Sequence, residues 1–388
     1  MAASAARGPI GDLLESRRVL LTVGCGGVGK TTSAAALALA AARRGKRVLC
    51  LTIDPARRLA QSLGLEWAST DARVVDTTLL AKVGVPPEGS LTIMRVDTKA
   101  TFDGLVTQLA PSAERRDRIL NNVLYKYIST SLAGTQEYMA MEKLYALRSD
   151  PRYDVIILDT PPTTNALDFL DAPERLVGAI DSPAIRWFVQ ALESSGKLSF
   201  NLVAKSTAIL LKGLGKVTGS GFLEQVAGFI KEINALFGGW KQRADAVSAA
   251  LRGSDVAYCL VTTPDPLAIR EVVFFAERLK SEGMRPDVFI VNRVSPRLPT
   301  EPEHAAAELA EAGLDPSPAL IDKCRRALDD AAKNGRLDHI HMMSLEPTVE
   351  ELNVPMVTVP TFASDVYDLE ALSEISTRLA PPHGGAGA

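Results

Sequence analysis

The sequence is short of cysteine and aromatic residues, carries no excess of charge of either sign and has no long apolar run. Its four cysteines, Cys25, Cys50, Cys259 and Cys324, lie far apart, and no C-x-x-C occurs. That spacing excludes a zinc knuckle and a disulfide framework, and it suits a reducing cytosol. Lys and Arg number 43 against 46 Asp and Glu, a formal net charge of −3. No basic excess marks a nucleic-acid footprint, so no nucleic-acid partner is expected. The longest low-polarity stretch, Ser33–Ala42, is too short and too rich in Ala to span a bilayer. The first 18 residues lack the apolar core of a signal peptide. A cytoplasmic protein is expected, with contact to a membrane left open.

Hydrophobic residues make up 46% of the chain and charged residues 23%, enough for a sizeable packed core. Short β-branched runs predict buried strands at Val19–Val23, Val48–Ile53, Leu91–Val96, Val155–Leu158, Val256–Thr262, Val288–Val291 and Met356–Val359. Cys50 and Cys259 fall inside two of them and are expected to be buried thiols. Helical patterns follow most of the strands, the clearest being Thr31–Arg44, closed by Gly45. Strands alternating with helices define an α/β fold with a mostly parallel sheet covered on both faces. No internal repeat is visible, so one such domain is expected over residues 1–388. Residues 99–150 and 172–252 lack strand signals and predict a helical insertion subdomain, with Gly213, Gly215, Gly219 and Gly221 breaking its second part into at least two helices. The tail 380–388 reads as disordered.

Gly24, Gly29, Lys30 and Thr31 meet the spacing G-x-x-x-x-G-K-[ST], between a predicted strand and a predicted helix. Glycines let backbone N–H groups turn inward around phosphate oxygens, and the helix N-terminus adds partial positive charge. The expected cradle is Gly26, Gly27, Val28, Gly29, Lys30, Thr31 and Thr32. Lys30 would neutralise the β- and γ-phosphates, the Thr31 hydroxyl would ligate Mg²⁺, and Thr32 would reach the α-phosphate. The cofactors implied are ATP and Mg²⁺, on a P-loop NTPase fold.

Two acidic strand ends complete the pattern. Val155–Asp159 is an apolar run ending in Asp, which suits support of Mg²⁺ at the carboxyl end of a strand. Leu51–Leu59 places Asp54 at another strand end, where it would orient the attacking water or, alternatively, cap a helix.

These motifs together resemble the arsenite-efflux and tail-anchored-protein-targeting ATPases, over nearly the whole chain. Cys25-Gly26-Gly27-Val28-Gly29-Lys30-Thr31-Thr32 resembles that family's phosphate loop, Asp54-Pro55-Ala56 its first switch, and Asp159-Thr160-Pro161-Pro162-Thr163 its second. The resemblance implies a catalytic role for Asp54, adenine reading by Asn292, and a base-covering loop at Pro360-Thr361-Phe362. Ser131–Leu144 and Asp159–Pro173 resemble a bacterial subgroup of anion-transporting ATPases. The family works as nucleotide-gated dimers, and its loop opens with a lysine that reaches the partner's nucleotide. Cys25 stands at that position. A small residue that simply fits is one reading; a thiol of lowered pKa at a helix N-terminus is another. A third is that Arg57, Arg58 or a paralogous subunit supplies the missing cation.

The resemblance also assigns the insertion a client groove. Leu198–Val217 and Phe222–Phe237 carry apolar residues at helical spacing, as either a groove or a packed layer would. Three functions follow: an ATP-driven switch, homodimeric or paired with a paralogue, that handles a hydrophobic membrane-protein client; the energising subunit of an anion or metalloid exporter; or an ATPase that positions itself on membrane or DNA. His339-x-His341 has no third His or Cys nearby and reads as a solvated pair.

Overall fold

The computed structural model describes residues 8–53, 59–60, 63, 72–122, 125–126, 129, 135–160, 171–175, 178, 220–296, 309–362 and 366–381. The chain divides into two compact units. One comprises Met1–Arg95, Pro151–Ala166 and Ser254–Ala388; the other comprises Val96–Asp150 and Leu167–Gly253.

The first unit is built on an eight-stranded sheet. Its strands are β1 (Val19–Val23), β2 (Arg47–Thr52), β3 (Arg73–Val74), β4 (Ser90–Arg95), β5 (Val155–Asp159), β6 (Val256–Thr262), β7 (Val288–Val294) and β8 (Met356–Pro360), in the spatial order β3-β4-β2-β5-β1-β6-β7-β8. All seven predicted strands form, with ends shifted by a few residues at most. They read clearly because strands of a parallel sheet are covered on both faces and so are apolar almost throughout. β1, β5 and β6 are buried along their whole length. β3 is the exception: two exposed residues pair antiparallel with β4.

Helices α1 (Gly8–Ser16) and α2 (Lys30–Ala42) flank β1 in the chain. The Ala-rich run that is too short to span a membrane is the body of α2, whose residues from Ser33 to Ala42 are all buried. Small side chains let the helix backbone lie close to β1, β2 and β5. Gly45, at φ 76°, stops it, and its N–H donates to Ala42 O at 2.9 Å. Helix α3 (Thr77–Lys82) follows on β3. Cys50 and Cys259 are fully buried in β2 and β6.

The second unit contains α4 (Thr98–Leu109), α5 (Ala113–Leu120), α6 (Thr135–Leu147) and α7 (Ser220–Leu251). Its core is aromatic. Phe102 meets Tyr125 and Trp240 edge-on, with centroids 5.5 and 5.0 Å apart, and Tyr138 stacks at 6.5 Å from Trp240. Arg243 donates from Nε to Glu142 Oε1 at 2.8 Å and lies 4.3 Å over the Tyr145 ring, so a buried carboxylate is matched by a fork of donors.

Helix α7 begins at Ser220, among the glycines expected to break the helical pattern, and runs 32 residues through Gly228, Gly238 and Gly239. A helical glycine costs only about 1 kcal/mol, which packing along one stripe offsets. Phe229, Leu236, Trp240, Ala244, Val247 and Leu251 are buried on it. At Gly239 a Cβ would sit 3.0 Å from Leu109 Cδ2, so the glycine also relieves a close approach. Gly213, Gly215, Gly219 and the segment Leu198–Val217 lie outside the described residues. So does most of the tail, 382–388.

The first unit is completed by α8 (Pro266–Ser281), α9 (Pro318–Met343), α10 (Glu346–Leu352) and α11 (Leu369–Leu379). Helix α11 lies against α2, where Arg43 Nη1 donates to Ser373 O at 3.1 Å. Among the described residues, no helix is long and apolar enough to cross a membrane.

Candidate nucleotide-binding site

The loop Gly24–Gly29 leaves the buried end of β1 and enters α2 at Lys30. Gly27 and Gly29 have φ of 81° and 95°, a region that side chains with a Cβ rarely adopt. Gly24 is constrained by space: a Cβ there would lie 2.0 Å from Val261 O of the adjacent β6. The Lys30 side chain is buried and curls back over the loop, donating from Nζ to Gly24 O at 2.9 Å and to Cys25 O at 2.8 Å. The ammonium is thus held inside the ring of backbone that a phosphate would enter.

Sheet register brings the second element beside the first. Thr22 of β1 and Thr52 of β2 both pair with Asp159 of β5, so three polar residues line up at the carboxyl ends of adjacent strands. Asp159 is 1% exposed. Its Oδ2 accepts from Thr31 Oγ1 at 2.8 Å and from Thr52 Oγ1 at 2.9 Å. Thr160 Oγ1 donates to Thr22 O at 2.7 Å, pinning the chain as it leaves β5. The Thr31 hydroxyl and the Asp159 carboxylate are hard oxygen donors in contact beside the loop. That donor chemistry fits Mg²⁺, which takes oxygen ligands and keeps several waters. Thr32 is half-buried on the first turn of α2.

Asn292 and Arg293 lie at the far end of β7. Asn292 Nδ2 donates to Val28 O at 2.9 Å, and Arg293 Nη1 to Gly27 O at 3.3 Å. The next strand ends alongside: Thr361 N–H donates to Val294 O at 3.0 Å, and Phe362 packs half-buried against the core next to Pro360 and Thr361. Asp54 with Pro55, Ala56, Arg57 and Arg58 lies outside the described residues, as do Pro161, Pro162 and Thr163.

The Cys25 thiol has a raised pKa, not a lowered one: burial pushes it up, Glu271 adds to this, and Lys30 opposes it only in part. The helix starts five positions later, at Lys30, so Cys25 does not sit at its N-terminus. His339 and His341 are two apart on α9, and such residues point in different directions. His341 is not simply solvated, since its Nδ1 is 2.9 Å from Pro264 O. Among the described residues, no group of three or more His, Cys, Asp or Glu is placed to hold a metal ion. Thr22 and Thr52 were not singled out in the sequence, whereas Thr160 was, as part of the second switch. The available signal was a threonine near the end of each strand adjoining Asp159.

A glycine loop joining a buried parallel strand to a helix, with its threonine bonded to a strand-end aspartate, defines a P-loop NTPase. A family model described as anion-transporting ATPase matches residues 17–312. The chain belongs to that family, in line with the resemblance of its motifs, and is an ATPase. Curated relatives agree. The chain is 23% identical over 371 residues to "ATPase get3" of Aspergillus terreus, covering 95% of this chain and 92% of that protein. It is 23% identical over 376 residues to "ATPase GET3" of Paracoccidioides lutzii, covering 96% and 93%. A shorter match, 29% identical over 167 residues, is to "ATPase get3" of Aspergillus niger.

Proposed function

We propose that this ATPase is a nucleotide-gated dimeric switch of the cytoplasm that handles a hydrophobic or membrane-protein client, assembled as a homodimer or with a paralogue. Residues 26–32 hold the phosphates of ATP, with Lys30 neutralising the β- and γ-groups. Thr31 and Asp159 would hold Mg²⁺, which would polarise the γ-phosphoryl group and offset its charge. Asp54 positions the attacking water, and Pro360, Thr361 and Phe362 cover the base. The carrying observation is the bond from Thr31 to Asp159 at 2.8 Å. It ties the loop to the strand end from which the chain passes, through 160–166, into the helical unit at Leu167. A γ-phosphate and its metal would compete for these two oxygens, and a change of order passed on from Asp159 is one way in which hydrolysis is reported. The near-full-length similarity to proteins named ATPase GET3 supports the same reading. An exporter that bound metalloid through clustered cysteines would need a cluster this sequence lacks.

Hydrogen exchange on ADP-bound and ATP-trapped protein tests the coupling. Protection across 172–252 is expected to differ between the two states, with the change largest in α7. Identical protection in both would reduce the helical unit to structural packing and end the switch reading.

A further inference from the structure

Two consecutive residues of one strand reach the same loop, which a regular strand does not allow. Successive side chains of a β-strand point to opposite faces. Asn292 and Arg293 nevertheless donate to Val28 O and Gly27 O respectively, at 2.9 and 3.3 Å. The sheet shows how. Val291 pairs with Thr358 and Val294 with Pro360, so β7 takes three steps where β8 takes two. That is a bulge, a feature rare in parallel pairs and one that re-aims side chains. Arg293 sits in it at φ 58°, one of the two non-glycine residues among those described with positive φ. Such a conformation is strained for a residue with a Cβ and persists only when its surroundings hold it.

We propose that the β7 bulge makes Asn292 and Arg293 positioning residues of the phosphate-binding loop, holding the carbonyls of Val28 and Gly27 outward so that the loop's amides face the phosphates. The proposal rests on Gly24–Thr31 being the nucleotide site. A trans peptide is planar, so its C=O and N–H point in opposite directions, and no peptide bond among the described residues is cis. Fixing Gly27 O toward β7 therefore turns the Val28 N–H away from it, and fixing Val28 O does the same for Gly29 N–H. Gly29 confirms how closely the anchor approaches: a Cβ there would lie 2.1 Å from Asn292 Nδ2. Oriented amides of this kind act as a fixed partial positive charge for an anion. On this account Asn292 acts on any triphosphate, with or without a base attached.

The test uses the full-length protein and two probes, ATP and inorganic tripolyphosphate, each binding competitively with a fluorescent ATP analogue. Arg293→Gly removes the guanidinium while leaving the backbone free to keep its positive φ; Asn292→Ala removes the amide. Each variant is expected to lose about 3- to 10-fold in affinity, the effect of one hydrogen bond, and to lose it equally for both probes. Thermal unfolding of the unliganded variants should stay near wild type while the shift induced by ligand shrinks. A loss for ATP with tripolyphosphate binding unchanged would show that Asn292 reads the base and does not set the loop. Wild-type affinity of Arg293→Gly for both probes would overturn the role of Arg293. Should Asn292→Ala prove unstable, Arg293→Gly alone decides the matter. Lys30→Ala separates the underlying reading: if it binds both probes as wild type does, Gly24–Thr31 is not the site and the inference falls with it.

Discussion

Asp54→Asn is expected to retain ATP binding while turnover falls by about 10²-fold or more, the loss that follows when a positioned water is misplaced. The substitution keeps size and shape and removes the negative charge, so any effect lies in acceptor strength at the water and not in packing. Asp54 follows β2 by two positions, and β2 ends at Thr52, which donates to Asp159 at 2.9 Å. The strand that precedes Asp54 in the chain therefore contributes a member of the hydroxyl–carboxylate cluster beside the phosphate loop. Asp54 contributes no phosphate contact in this account, so ground-state affinity is largely spared. Single-turnover phosphate release together with equilibrium ATP binding separates the two quantities. A variant that hydrolyses at the wild-type rate removes Asp54 from the chemistry. One that fails to bind places it in nucleotide binding instead.

Gly24→Ala is expected to be more damaging than Gly27→Ala, because the obstacle is backbone. Its Cβ would meet Val261 O at 2.0 Å and Val261 C at 3.1 Å. Val261 belongs to β6, which is hydrogen-bonded to β1 from Val19 to Val23, so neither side can yield without shifting the sheet. A stability loss of about 3 kcal/mol, the upper range for overpacking, should accompany loss of nucleotide binding. Gly27→Ala meets nothing within 4 Å and strains only its φ of 81°. That costs about 1–2 kcal/mol. Urea denaturation of the two variants should rank them in this order; the reverse ranking would mean that the β1–β6 contact is more compliant than its register implies.

The fold was largely legible because a parallel sheet is apolar on both faces, so its strands stand out as unbroken β-branched runs. β3 was not: Arg73 and Val74 are exposed, and two edge residues leave no pattern. In α7 the sequence cannot show that a packed stripe outweighs the low helix propensity of Gly228, Gly238 and Gly239. The phosphate loop and Asp159 were readable from spacing and position. The threonine cluster was not, because it depends on the register that sets Thr22 and Thr52 beside Asp159. The reach of Arg293 depends on a bulge, and no residue type announces one. The Cys25 thiol misleads for a related reason. Its pKa follows from burial and from Glu271, which lies far away in the sequence.

The proposed function depends on hydrolysis of ATP at Gly24–Thr31 with Lys30 at the phosphates. Steady-state phosphate release from Mg²⁺-ATP by wild type and by Lys30→Ala tests it directly. Wild type should release phosphate, chelation of Mg²⁺ should stop it, and Lys30→Ala should fall by about 10²-fold or more, as removal of a preorganised charge at a phosphoryl group requires. Equal, metal-independent release by the two proteins would contradict the account.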